Sequence, residues 1–174
     1  MSDKDSLFTL RPVASALNQL RAAVRAQSTS AAKKAPKVSE LSIAQVLKTT
    51  PGVFKENAKN VVIKDLKRGN TRAGFPGVKA VAKDVFSNPG KRSISHKCSI
   101  VAMDGKPVYL SKAAYFSCDC EAFLYWCEVA LHAKGAAAIK FSNGEAPDTR
   151  NPRKLPMICK HLIELAYTCR EHKF

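Results

Sequence analysis

Apolar positions along this chain follow two different patterns, and the change falls near residue 92. Val13, Leu17, Leu20 and Val24 recur at helical spacing and predict an amphipathic helix over 12–26, with Pro12 suited to its first turn and Arg21 and Arg25 on another face. Residues 27–37, QSTSAAKKAPK, have the small, polar and basic chemistry of a linker. Ser42 followed by Gln45 is a capping-box pattern for a short helix over Ile43–Lys48, stopped by Thr50-Pro51-Gly52. Val61-Val62-Ile63 predicts a brief strand, and residues 64–78 read as a loop of basic residues and turn formers. Val78, Val81, Ala82 and Val85 predict another short helix, ended by Asn88-Pro89-Gly90. This half has too few large apolar residues for a core of its own. The expectation is an extended, partly helical arm over 1–92 that packs on something else.

After residue 92 the pattern is that of a domain. Ser93–Met103 alternates and is β-prone, Asp104-Gly105 is a hairpin turn signal, and Val108–Ser117 supplies a return strand. Phe123, Trp126, Cys127, Ala130 and Leu131 form a helical stripe within Glu121–Lys134, with Gly135 as its stop. A polar loop then leads to a last helix that begins near Cys159 and runs to about Cys169. The fold class read from this is α+β: a small zinc-stapled β-hairpin and helix module over 93–174, preceded by the basic arm.

The zinc in that description comes from two tight pairs. Cys118 and Cys120 stand one residue apart at the end of a strand, and Cys159 and His161 stand one residue apart at the start of a helix. Zinc takes four nitrogen or sulfur ligands in a tetrahedron. Residues two apart on a helix point about 200° apart, so Cys159 must lie just before the helix and His161 in its first turn. Three thiolates and a neutral imidazole around a divalent ion leave a net charge of about −1, which Lys160 is placed to offset. The alternative, cysteines as buried small hydrophobes beside an incidental histidine, does not account for two pairs at element ends. Cys127 falls on the apolar stripe of its helix and Cys169 lies two turns beyond His161, so both read as core, and Cys98 is also left over.

Charge separates the two halves. Residues 1–97 carry 19 Lys/Arg against 6 Asp/Glu, a net of +13, whereas residues 98–174 carry 10 against 8, a net of +2. Such a field attracts polyanions in a salt-dependent way. The candidate contacts are Lys33, Lys34, Lys37, Lys64, Lys67, Arg68, Arg72, Lys91 and Arg92. The opening residues, MSDKDSLFTLRP, lack the form of a secretory signal, and no apolar run is long enough for a membrane helix. The expectation is therefore a protein that is cytoplasmic when made, free of membrane contact, with its six cysteines as metal ligands or buried thiols.

The pattern Cys118-x-Cys120 … Cys159-x-His161, with Phe123 three residues after the second cysteine and Leu162 after the histidine, resembles the SWIM zinc finger. The resemblance covers roughly residues 93–170. It implies a hairpin followed by a helix, with Cys118, Cys120, Cys159 and His161 as the four ligands of one structural zinc. The spacer of 38 residues between the pairs is longer than in compact members and holds its own helix. SWIM domains as a family are implicated in DNA binding and in protein–protein contacts. The long spacer also resembles that of SWIM-type proteins of large tailed bacteriophages, some of which are virion components.

No glycine-rich phosphate loop and no zinc-deaminase motif is present in the sequence, and four protein ligands would close the zinc shell to water. The expectation is a protein that is not an enzyme and has no small-molecule substrate. Two roles are expected: a structural or assembly protein, such as a component of a phage virion, that contacts other subunits through its arm, or a nucleic-acid-binding module of weak sequence specificity.

Overall fold

A computed structural model of the chain describes residues 39–85, 93–145, 147 and 149–174. The helix expected over 12–26, the linker after it, and Lys33, Lys34, Lys37, Lys91 and Arg92 lie outside the described residues. One compact unit spans Lys37–Phe174.

Helix α1 (Ile43–Thr49) starts as its capping box requires. The Ser42 hydroxyl accepts from the Gln45 N–H, and the Gln45 side chain accepts from the Ser42 N–H at 2.8 Å. Helix α2 (Gly52–Ala58) follows directly. Both belong to the folded unit. Ala114 donates to the Leu41 carbonyl at 2.8 Å, and Ile158 donates to the Thr50 hydroxyl at 3.2 Å. Thr49 donates to the Pro156 carbonyl, and Phe54 meets Trp126 edge-on at 5.4 Å.

The sheet has four antiparallel strands in sequence order: β1 (Val61–Asn70), β2 (Pro76–Asp84), β3 (Ser95–Ala102) and β4 (Ala114–Cys118). The first two correct the expectation of an extended arm. Residues 64–70, read as loop, continue β1, and the helix expected at 78–85 is strand β2 instead. Val78, Ala80, Ala82 and Asp84 are buried while Lys79 is exposed, which is a two-residue period. With Val81 and Val85 also apolar, the same stretch satisfies a helical period. Pairing with β1 and β3 decides between them. The unit that contains the cysteine pairs therefore takes in residues assigned to the arm, and the expected boundary at 92 falls inside the sheet, between β2 and β3.

A bulge interrupts β1. The register with β2 shifts between Lys64 and Lys67, and Asp65 takes a left-handed backbone with φ 49°. The shift brings Lys64 and Lys67, three residues apart, onto one face, opposite Val81 and Lys79. It leaves Leu66 to pack against the core with Ile63.

The expected hairpin exists as β3 and β4, but its turn is not two residues long. The chain between them runs from Met103 to Ala113 and contains a 3-10 turn at Val108–Leu110. Asp104 ties this loop, accepting from the Lys112 N–H at 2.9 Å and the Ser111 hydroxyl at 2.8 Å. Gly105 still needs its positive φ, 73°.

Beyond β4, a π-helical stretch (Phe123–Cys127) runs into α3 (Glu128–Ala133). The expected stripe is its buried side, with Phe123, Cys127 and Leu131 at most 1% exposed. The last helix, α4 (Lys160–Glu171), lies against one face of the sheet, where Leu162, Ile163, Leu165 and Ala166 join Val78, Ile100 and Phe116 in the core. Among the described residues no helix is long and apolar enough to cross a membrane.

Candidate metal centre

Three element ends meet at the cysteine pairs. Cys118 is the last residue of β4, paired with Cys98 of β3. Cys120 opens the next helical segment: its carbonyl accepts from the Phe123 and Leu124 N–H groups at 3.0 and 3.1 Å, and its sulfur faces the Phe123 N–H at 3.3 Å. Cys159 is the N-cap of α4, with extended backbone (φ −74°, ψ 165°), and His161 lies in the first turn. This is the arrangement that helical geometry demanded of a Cys-x-His pair.

Cys118, Cys120, Cys159 and His161 are all buried, and one ligand atom from each lies within 4.8 Å of every other. The His161 Nδ1 is 3.8 Å from the Cys118 Sγ and 4.0 Å from the Cys159 Sγ. A tetrahedron with metal–sulfur bonds of about 2.3 Å has edges of about 3.8 Å. The four residues can therefore hold one metal ion with little rearrangement.

Electrostatics point the same way. A hydrogen bond from the Cys118 thiol holds the Cys120 sulfur far below its ordinary range, and Cys118 is raised in turn. Cys159 is raised by burial and by its two sulfur neighbours. Without a cation the cluster shares protons and keeps only part of its thiolate character. A divalent ion would relieve that repulsion, because metal ligands bind as thiolates. The other three cysteines differ. Burial pushes Cys98 and Cys169 up to about 12 and Cys127 well above its ordinary value. They are protonated core thiols, and no disulfide joins any of the six cysteines.

Asp84 carries no local signal that would single it out. It ends β2, 77 residues before the histidine, and its Oδ1 accepts from the His161 Nε2 at 2.9 Å. A carboxylate in this position fixes the ring and commits Nδ1 to the ligand cluster. The Lys160 Nζ reaches the Asp84 Oδ2 at 2.8 Å. Lys160 therefore balances the carboxylate behind the histidine and not the sulfurs. Burial alone would raise the Asp84 carboxyl; the Lys160 and His161 contacts outweigh it and hold the group below its ordinary value. His96 packs its ring 4.6 Å from that of His161 and contacts Asp119, between the two cysteines, at 3.1 Å. His132 makes a separate contact with the Ala137 carbonyl at 3.0 Å.

The basic candidates among the described residues do not converge on this centre. Lys64 and Lys67 project from the sheet face that α4 does not cover. Arg68 stacks over Phe174 with its guanidinium 4.9 Å from the ring centre, and Arg72 sits in the turn between β1 and β2. Compared with protein-family models, with curated proteins and with solved structures, the chain matches none.

Proposed function

We propose that the centre holds one structural zinc ion of the SWIM type and that the chain works by contact rather than by turnover. The observation that carries this reading is the enclosure of the four donors: all are buried, and the far nitrogen of the histidine is already fixed by Asp84. Three sulfurs and one imidazole form a donor set characteristic of structural zinc. Four protein donors fill the tetrahedral shell and leave no position for a reacting water, which supports a non-enzymatic role. The ion would staple the end of β4 to the start of α4. The partner class, other protein subunits of an assembly such as a virion, comes from the resemblance alone.

Elemental analysis of the full chain, purified without added metal, should find about one zinc per chain. The paired change Cys118→Ser and Cys120→Ser should release the metal and unfold the sheet-and-helix unit, because structural zinc binding is coupled to folding. Full zinc content and an unchanged thermal transition in that variant would refute the assignment. The second role, contact with nucleic acid, gains a specific observation from the open face of the sheet.

A further inference from the structure

The face of the sheet opposite α4 is lined with lysines in register. Lys67 and Lys79 stand side by side on β1 and β2, in one row with Ser99 and Ser117 on β3 and β4. Lys64 and Lys97 belong to the next row, on either side of Val81, and Lys83 lies in the row beyond. Neighbouring rows on one face are about 6.7 Å apart and neighbouring strands about 4.8 Å. The lysines therefore make a grid and not a scatter. The β1 bulge contributes directly, since without it Lys67 would point to the core face.

This grid borders a groove of about 600 Å³ lined by Lys67, Lys79, Lys97, Lys140, Ser99 and Phe141 among others. Lys140 reaches over the Phe141 ring at 5.0 Å, and the backbone of both residues is anchored on buried Glu128. Two carboxylates also line the groove. Asp119 is engaged by the Lys97 N–H at 3.0 Å and by His96, and Asp65 sits at the bulge. Among the described residues no carboxylate lies within ion-pair distance of Lys64, Lys67, Lys79, Lys83, Lys97 or Lys140.

We infer that this face binds the phosphate backbone of a nucleic-acid strand. Ammonium groups on a fixed grid, with the Ser99 and Ser117 hydroxyls beside them in the same row, suit a repeating anion, and most protein contacts to nucleic acid go to phosphate and sugar. With Phe141 as the one aromatic residue among those lining the groove, the groove grips the backbone and does not read bases. The inference is independent of the zinc reading, because the lysines lie on the opposite face of the sheet from α4.

The test uses the full chain, a labelled oligothymidylate and a labelled duplex of equal length, titrated between about 50 and 200 mM salt. The triple variant Lys67→Glu, Lys79→Glu, Lys97→Glu should weaken binding by at least about tenfold and flatten the salt dependence by roughly two to three ions. A control triple, Lys112→Glu, Arg170→Glu, Lys173→Glu, makes the same charge change off this face and should cost less than about threefold. The milder Lys→Gln version at 67, 79 and 97 should keep the same order. Both groove variants should retain the zinc content of the parent chain, so failure here and failure of the metal assignment are separate results. Equal weakening by groove and control triples would overturn the inference. So would polyglutamate binding that is lost in the groove triple while oligonucleotide binding is unchanged, which would assign the face to an acidic protein partner.

Discussion

Two buried carboxylates organise the surroundings of the sheet, Asp84 at the cysteine–histidine cluster and Glu128 beneath residues 140–142. Asp84 touches no sulfur, yet it orients His161, and Lys160 keeps it charged. Asp84→Asn should weaken zinc binding by about 10–100-fold in a chelator competition, the usual cost of losing an outer-shell partner, with the fold retained at saturating zinc. Unchanged affinity would mean that the ring is positioned by packing alone. Glu128 is fully buried and accepts from the Lys140, Phe141 and Ser142 N–H groups. Burial raises its carboxyl, but these hydrogen bonds prevail and hold it below its ordinary value. A depressed folded value stabilises the fold above the ordinary carboxylate range, and that stability is lost as pH falls through the folded value. Glu128→Gln should therefore cost about 1–3 kcal/mol at neutral pH and flatten the acid limb of a urea-midpoint profile. Asp84 was not legible in the sequence because its partner is 77 residues away. The clustering of Cys118, Cys120, Cys159 and His161 was, because each pair sits within three residues and marks the end of an element.

Elements whose signals are local were legible, and those that depend on distant pairing were not. The capping box at Ser42 and Gln45, the stripe from Phe123 to Leu131 and the helix entry at Cys159 are each settled within a few residues. Strand β2 is different, since Val78, Val81, Ala82 and Val85 fit either period until neighbours on both sides satisfy the backbone of that segment. Only the start of strand β1 shows in the sequence, because the bulge at Asp65 breaks its alternation. That position makes its own prediction. Asp65→Gly should be tolerated, whereas Asp65→Val should destabilise the chain by about 1–2 kcal/mol, because a β-branched residue resists the left-handed conformation. Equal thermal transitions for the two variants would show that the bulge carries no such conformational demand.

At the scale of the whole molecule, the sheet separates two kinds of chemistry. One face carries the core, α4 and the cysteine–histidine centre. The other carries the lysine grid. The charge asymmetry of the sequence hinted at a basic surface but assigned it to an arm. It could not show that strand pairing places Lys64, Lys67, Lys79, Lys83 and Lys97 on one plane. In the proposed reading a metal would hold the end of β4 against the start of α4, on the face away from the lysines. The two share no residue, so each can be tested without the other.

The central claim is the metal centre, and X-ray absorption at the zinc edge of the purified full chain tests it most directly. The account predicts a four-coordinate ion with three sulfur neighbours at about 2.3 Å and one nitrogen at about 2.0–2.1 Å. A shell dominated by oxygen, fewer than three sulfurs, or a chain that folds without any bound metal would contradict it.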